Sequence, residues 1–137
     1  MHVIGIGIDI VEVDRLKAAL ARRPRLAERL FTKTELESAG GPGHRLLRLA
    51  ARFAAKEALL KSFGTGLRGV RWREAEVVSD ALGRPSLRLQ GQLQSLASRL
   101  GVTELHLTMS HSRQYAVAAV VAVGEDGDPT PTKTAGD

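Results

Sequence analysis

Cysteine is absent from the 137 residues of this chain. No disulfide scaffold, thiolate zinc site or cysteine nucleophile is therefore available, and the composition fits a reducing compartment. Aromatic residues are scarce at 4 %, which leaves few platforms for stacked bases and argues against a nucleic-acid module. No apolar run approaches the roughly 18 residues that a membrane span needs. The opening residues MHVIGIGID lack a basic leader and a small-residue cleavage site, so no signal peptide is expected. His2, His44 and His106 have no ligand spacing such as His-Glu-x-x-His, which argues against zinc. Neither Gly-x-x-x-x-Gly-Lys-[Ser/Thr] nor Gly-x-Ser-x-Gly occurs. That excludes a P-loop nucleotidase and removes the elbow of a serine hydrolase. One soluble, cytoplasmic domain is the expectation.

What the chain does have is positive charge, unevenly spread. The net charge is +5, and residues 15–61 hold 12 Lys/Arg against 4 Asp/Glu, while the remainder is net acidic. Such a field attracts an acidic partner: nucleic acid, an acidic protein or a polyphosphate ligand.

The hydrophobic pattern predicts a first strand over 3–10, in which Ile4, Ile6, Ile8 and Ile10 share one face and Val3, Gly5, Gly7 and Asp9 the other. The isoleucine face is expected in the core and the glycine face bare, open to close backbone approach. Helical patterning starts near Glu12 and breaks at Pro24, which suits the first turn of a new helix. Thr32-Lys33-Thr34-Glu35 reads as a capping box, and 40–43 as a loop. The longest helix is predicted from about Arg45 to Phe63, stopped by Gly64. Strands follow over 75–79 and 85–89, a helix over 92–100, then a second hairpin of 104–110 and 114–123 turning near Ser112-Arg113. Strands mixed with unevenly placed helices indicate an α+β fold. Residues 124–137 are polar, rich in Pro, Gly and Thr, and expected to be disordered.

Asp9 stands at the end of a Gly-x-Gly-x-Asp strand. A carboxylate there can hold a divalent cation, or it can cap the next turn. In Arg52-Phe53-Ala54-Ala55-Lys56-Glu57-Ala58-Leu59-Leu60-Lys61, Arg52 and Lys56 lie one helical turn apart, as do Glu57 and Lys61. Glu57 reads either as a partner in a solvent-facing pair with Lys61 or as a second metal carboxylate flanked by phosphate-binding cations. Magnesium takes one or two protein carboxylates and completes its shell with water and phosphate oxygens. Gly64-Thr65-Gly66 is a helix stop with free N–H groups that could cradle a phosphate. Ser110-His111-Ser112 falls at a hairpin turn, where the histidine is either structural or a phosphate donor. Adjacent Ser and His on a strand point in different directions, which weighs against a hydrolase pair.

These segments, taken with Gly83-Arg84-Pro85 and in this order, resemble holo-acyl-carrier-protein synthases, the short bacterial type of 4′-phosphopantetheinyl transferase. The resemblance spans about residues 3–122, so the expected domain is 1–123. It implies transfer of the phosphopantetheine arm of coenzyme A to a serine of apo-acyl carrier protein, with release of adenosine 3′,5′-bisphosphate, in support of fatty acid biosynthesis. It implies Mg²⁺ on Asp9 and Glu57. Lys61 and His111 would neutralise phosphate charge, and Glu57 or a metal-bound water would take the serine proton. Arg52, Lys56, Gly64, Thr65, Pro85 and Ser110 match coenzyme-binding positions. Arg15, Lys17, Arg22 and Arg25 match a carrier-docking helix. A homotrimer with interfacial sites is also implied, with Asp9 and His111 on a different chain from Arg52–Lys61. A metal-dependent phosphohydrolase using the same carboxylates is the rival reading.

Overall fold

The computed structural model describes residues 1–64 and 68–126. Its elements run β1 (His2–Glu12), α1 (Val13–Arg22), α2 (Leu26–Leu30), α3 (Lys33–Ser38), α4 (Pro42–Ser62), a 3₁₀ turn (Trp72–Glu74), β2 (Ala75–Ser79), β3 (Pro85–Leu89), α5 (Gly91–Leu100), β4 (Glu104–His111) and β5 (Tyr115–Gly124). β1, β5 and β4 form an antiparallel sheet in that order, and β2 and β3 form a separate hairpin. The expected α+β architecture is present. Thr65, Gly66 and the tail from 127 onward lie outside the described residues. Gly124, expected to open the tail, instead closes β5 and is buried.

The faces of β1 are the reverse of the sequence expectation. Ile6, Ile8 and Ile10 are 67 %, 62 % and 63 % exposed, whereas Gly7 is buried. A Cβ at Gly5 would overlap the Ser62 carbonyl, and one at Gly7 the Ala58 carbonyl. The missing side chains thus let the backbone of α4 lie directly on the strand. Opposite Gly5, Gly7, Asp9 and Val11 stand Ala122, Val120, Ala118 and Ala116 of β5, all buried. Small residues on both strands, met by Ala54 and Ala58 of α4, make a close-packed layer. Alternation shows which residues share a face; it does not show which face a helix covers.

The second departure is at 40–43. Gly40 adopts φ +81°, a conformation that glycine reaches without steric cost, and ends α3. Gly41 is then the N-cap of α4, with Pro42 in the first turn, where its missing N–H costs nothing. The helix therefore starts three residues earlier than expected. Pro24 lies outside α2, whose N-cap is Arg25. Gly64 stops α4 with φ +70°, and its N–H donates to Lys61 O at 3.0 Å. The capping box is formed: Thr32 Oγ1 accepts from Glu35 N, and Thr32 N donates to Glu35 Oε1.

Candidate active site

The glycine contact decides where the chemistry-bearing side chains go. Ala54, Ala58 and Ser62 form an i, i+4 stripe on α4, and Ala58 and Ser62 meet Gly7 and Gly5 through their backbones. Glu57 and Lys61 lie one residue before Ala58 and Ser62, at the edge of that stripe. Asp9 follows Gly7 on the same face of β1. Lys61 Nζ donates to Asp9 Oδ1 at 2.7 Å and to Ile8 O at 3.1 Å. Asp9 is largely enclosed, its side chain 12 % exposed, while Lys61 is open to solvent. The i, i+4 Glu57–Lys61 pair is not closed; Lys61 turns to Asp9 instead.

Burial holds the Glu57 carboxyl above its ordinary range, and the neighbouring Asp9 charge and a hydrogen bond with Asp9 add to this; Lys61 opposes it. The hydrogen bond to Asp9 raises Lys61. Placing two carboxylates side by side disfavours charging both, and a nearby cation offsets that cost, as Lys61 does in part. Among the described residues no three His, Cys, Asp or Glu side chains gather in one place. Asp9 and Glu57 are two hard oxygen donors of the kind that could hold a divalent cation whose remaining positions water and phosphate oxygens would fill.

Glu57 also lines a cleft of about 490 Å³ together with Arg15, Leu16, Arg22, Leu26, Phe53 and Trp72. Phe53 and Trp72 pack with ring centroids 5.0 Å apart. The aromatic and leucine walls escaped the sequence reading. The only tryptophan, flanked by Arg71 and Arg73, was the available signal, but nothing local ties it to Glu57.

A family model for the 4′-phosphopantetheinyl transferase superfamily matches residues 5–120. The chain belongs to that superfamily. It is 48 % identical over 124 residues to the holo-[acyl-carrier-protein] synthase of Streptomyces coelicolor, covering 90 % of this chain and all of that one. Among solved structures it resembles the Neisseria meningitidis holo-[acyl-carrier-protein] synthase, with TM-score 0.82 and 35 % identity, covering 89 % of this chain and 99 % of that one. It also resembles the Bacillus anthracis synthase solved in complex with CoA (3′,5′-ADP), with TM-score 0.74 and 37 % identity, covering 90 % of this chain and 98 % of that one.

Within this phosphopantetheinyl transferase domain, three sequence expectations need correction. Asp9 does not require a second chain to meet Glu57 and Lys61; all three converge within one. Lys56, expected at a coenzyme-binding position, points into the core. It is 1 % exposed, and its ammonium donates to Glu35 Oε1 at 2.6 Å, Leu30 O at 2.7 Å and Trp72 O at 3.3 Å. Burial pulls the ammonium below the ordinary lysine range, against the pull of Glu35. Arg52, also expected at a coenzyme-binding position, is half-buried against α3, where its Nη1 donates to Glu35 O at 2.7 Å. Arg45 and Arg48 bond Leu36 O and Ala39 O in the same way. The three guanidinium groups satisfy carbonyls along and just beyond α3, where cations are favoured.

Ser110 pairs with Val117 on the outer sheet face, and His111 pairs with Ala116 on the helix-facing row. Ala116 in turn pairs with Val11, so His111 sits two strand spacings, about 10 Å, from β1. Pro85 opens β3 in the other sheet. None of the three makes a hydrogen bond or ion pair to Asp9, Glu57 or Lys61 among the described residues. Arg15, Lys17, Arg22 and Arg25 are all exposed, around buried Leu16 of α1.

The Lys56–Glu35 pair yields a stability prediction. Lys56→Met strands a carboxylate that is 0 % exposed and accepts from Thr32 N and Val77 N besides. Breaking one side of such a pair costs about 3–5 kcal/mol. Urea denaturation should show that loss, and Lys56→Met/Glu35→Gln should recover part of it by removing the stranded charge. A loss below about 1 kcal/mol in the single variant would contradict the assignment.

Proposed function

We propose that the chain transfers the 4′-phosphopantetheine arm of coenzyme A to a serine of apo-acyl carrier protein, in the cytoplasm and in support of fatty acid synthesis. The observation that carries this reading is the convergence of Asp9, Glu57 and Lys61 beside the apolar cleft, in a fold shared with synthases of this name. Asp9 and Glu57 would hold Mg²⁺, which when bound neutralises pyrophosphate charge. Lys61, solvent-exposed on a flexible stem, donates to a phosphate oxygen. Glu57, which lines the cleft, is the side chain proposed to take the serine proton, where a metal-bound water does not. The serine Oγ–phosphorus bond forms, the bridging phosphorus–oxygen bond breaks, and adenosine 3′,5′-bisphosphate leaves.

The exposed isoleucine face supports a homotrimer. Ile6, Ile8 and Ile10 continue across β5 through Val121, Ala119 and Val117. An apolar sheet face of this extent marks an interface, and a second copy of the chain covers it. In that assembly a neighbour would supply His111; Ser110, Pro85, Gly64 and Thr65 are the further positions proposed to surround the coenzyme. Ile8→Glu places a charge in the middle of the face. Light scattering should then give the monomer mass, with transfer falling in parallel; an unchanged mass would overturn the interface.

The transfer itself is tested by following bisphosphate release. Release should require the carrier and match modified carrier one for one. Release from coenzyme A without any carrier would instead establish the phosphohydrolase reading.

A further inference from the structure

The turn of α4 that carries Glu57 is held on two flanks. On one flank the Ala58 carbonyl lies against Gly7 of β1. Lys56 precedes Ala58 by two residues, about 200° around the helix, so its side chain leaves from nearly the opposite flank. Glu57 stands between the two. Any rotation or slide of α4 at this turn moves Glu57, and Lys56 is the side chain placed to oppose it.

An ammonium has three N–H donors, and here each has its own acceptor: Glu35 Oε1 at 2.6 Å, Leu30 O at 2.7 Å and Trp72 O at 3.3 Å. The acceptors belong to three elements. Leu30 ends α2, Glu35 lies in α3 and Trp72 opens the 3₁₀ turn. Glu35 is itself fixed by the amides of Thr32 and Val77. Leu30 and Trp72 are also walls of the cleft that Glu57 lines. A buried ion pair is a poor source of stability, because well-packed apolar residues of the same volume often do as well or better. What the ammonium supplies, and an apolar side chain does not, is three directed bonds that lock three elements onto α4.

We propose that Lys56, seated on Glu35, is a positioning residue for the transfer: it sets the Leu30 and Trp72 walls against α4 and so fixes Glu57 relative to Asp9 and the cleft. The inference rests on the transferase reading and gives Lys56 no chemical step.

The test uses the full chain with Lys56→Met/Glu35→Gln, which removes the tethers without stranding the buried carboxylate. Glu35→Gln alone keeps an acceptor oxygen but loses the charge, and is the milder second variant. Leu105→Ala is the control; it loosens core packing on β4, beside β3 and α5 and away from the cleft. All are assayed with apo-acyl carrier protein and coenzyme A well below their melting temperatures. A misplacement of about 1 Å costs up to a hundredfold, so kcat should fall about tenfold in the double variant and about threefold in Glu35→Gln. The coenzyme A KM should stay within about twofold. Trp72 is the chain's one tryptophan. Its emission should move to longer wavelength in the double variant and become more open to acrylamide quenching, with neither change in Leu105→Ala. An unchanged kcat in the folded variants overturns the positioning role. A lower kcat with Trp72 emission unmoved also overturns it, because the walls have then kept their place. An equal fall of kcat in Leu105→Ala traces the loss to stability alone, and a rise confined to the coenzyme A KM returns Lys56 to the coenzyme; both overturn it. Wild-type protein that transfers nothing overturns the transferase reading and this inference with it. Normal wild-type transfer with indifferent variants overturns this inference alone.

Discussion

Asp9→Asn and Glu57→Gln are each expected to lower phosphopantetheine transfer by about a thousandfold or more at saturating coenzyme A. The argument starts from charge. A pyrophosphate brings several negative charges to a site that already holds two carboxylates, so the pair is useful only with a cation between them. On the proposed reading, in which Asp9 and Glu57 would hold Mg²⁺, losing one of the two would remove several kcal/mol of transition-state stabilisation, and each 1.36 kcal/mol is tenfold in rate. The substitutions are isosteric, so the fold should survive. Burial and Asp9 both raise Glu57, and a carboxyl raised by folding stabilises the fold only at acid pH, before its charge appears. At neutral pH the ionised Glu57 therefore weighs against folding, and removing the Asp9 charge relieves part of that burden. The Asp9–Lys61 bond that is lost in exchange is exposed on the lysine side and worth little. Asp9→Asn should accordingly melt no lower than wild type in EDTA while losing activity. Near-normal transfer would remove the carboxylate pair from the mechanism, and a large fall in melting temperature would make Asp9 a structural residue.

Gly7→Val is expected to disrupt both fold and site. At Gly7 any Cβ would overlap the carbonyl of Ala58 and crowd Ser62 N, and a helix backbone cannot rotate aside as a side chain can. Overpacking of this kind reaches about 3 kcal/mol or more, a large share of the roughly 5–15 kcal/mol that holds a domain together. The melting temperature should fall by about 10 °C or more. Glu57 and Lys61 ride on the same helix, so any variant that folds should have Asp9 pulled out of register with them and transfer weakly. Gly43→Ala, inside α4, is the control: nothing lies within 4 Å of a Cβ there, and its stability should be unchanged or slightly raised. A Gly7 variant as stable and active as that control would contradict the close contact between β1 and α4.

The contrast between these positions shows what the sequence could and could not convey. Local rules carried the strands, the capping box at Thr32 and the stop at Gly64, because each depends on residues within one or two turns. The ordered motifs carried Asp9, Glu57 and Lys61 for the same reason: each is a short string with its own signature. The side of β1 that faces α4 could not be read, since isoleucine favours burial and only the tertiary contact of Gly5 and Gly7 with a helix backbone outweighs that preference. Lys56 and Arg52 show the same limit. They sit beside Glu57 in the string, but a helix turns 100° per residue, and that rotation carries Lys56 inward to Glu35. The partner of Glu35 in β2, Val77 N, is 42 residues away and leaves no local mark.

The central claim is that Asp9, Glu57 and Lys61 of one chain support Mg²⁺-dependent transfer to a carrier. Intact-mass spectrometry of apo-acyl carrier protein, incubated with this protein, coenzyme A and Mg²⁺ and in parallel with EDTA, tests it most directly. The account predicts a gain of one phosphopantetheine arm that EDTA abolishes. No gain across several carriers, from protein that is folded and assembled, would contradict it.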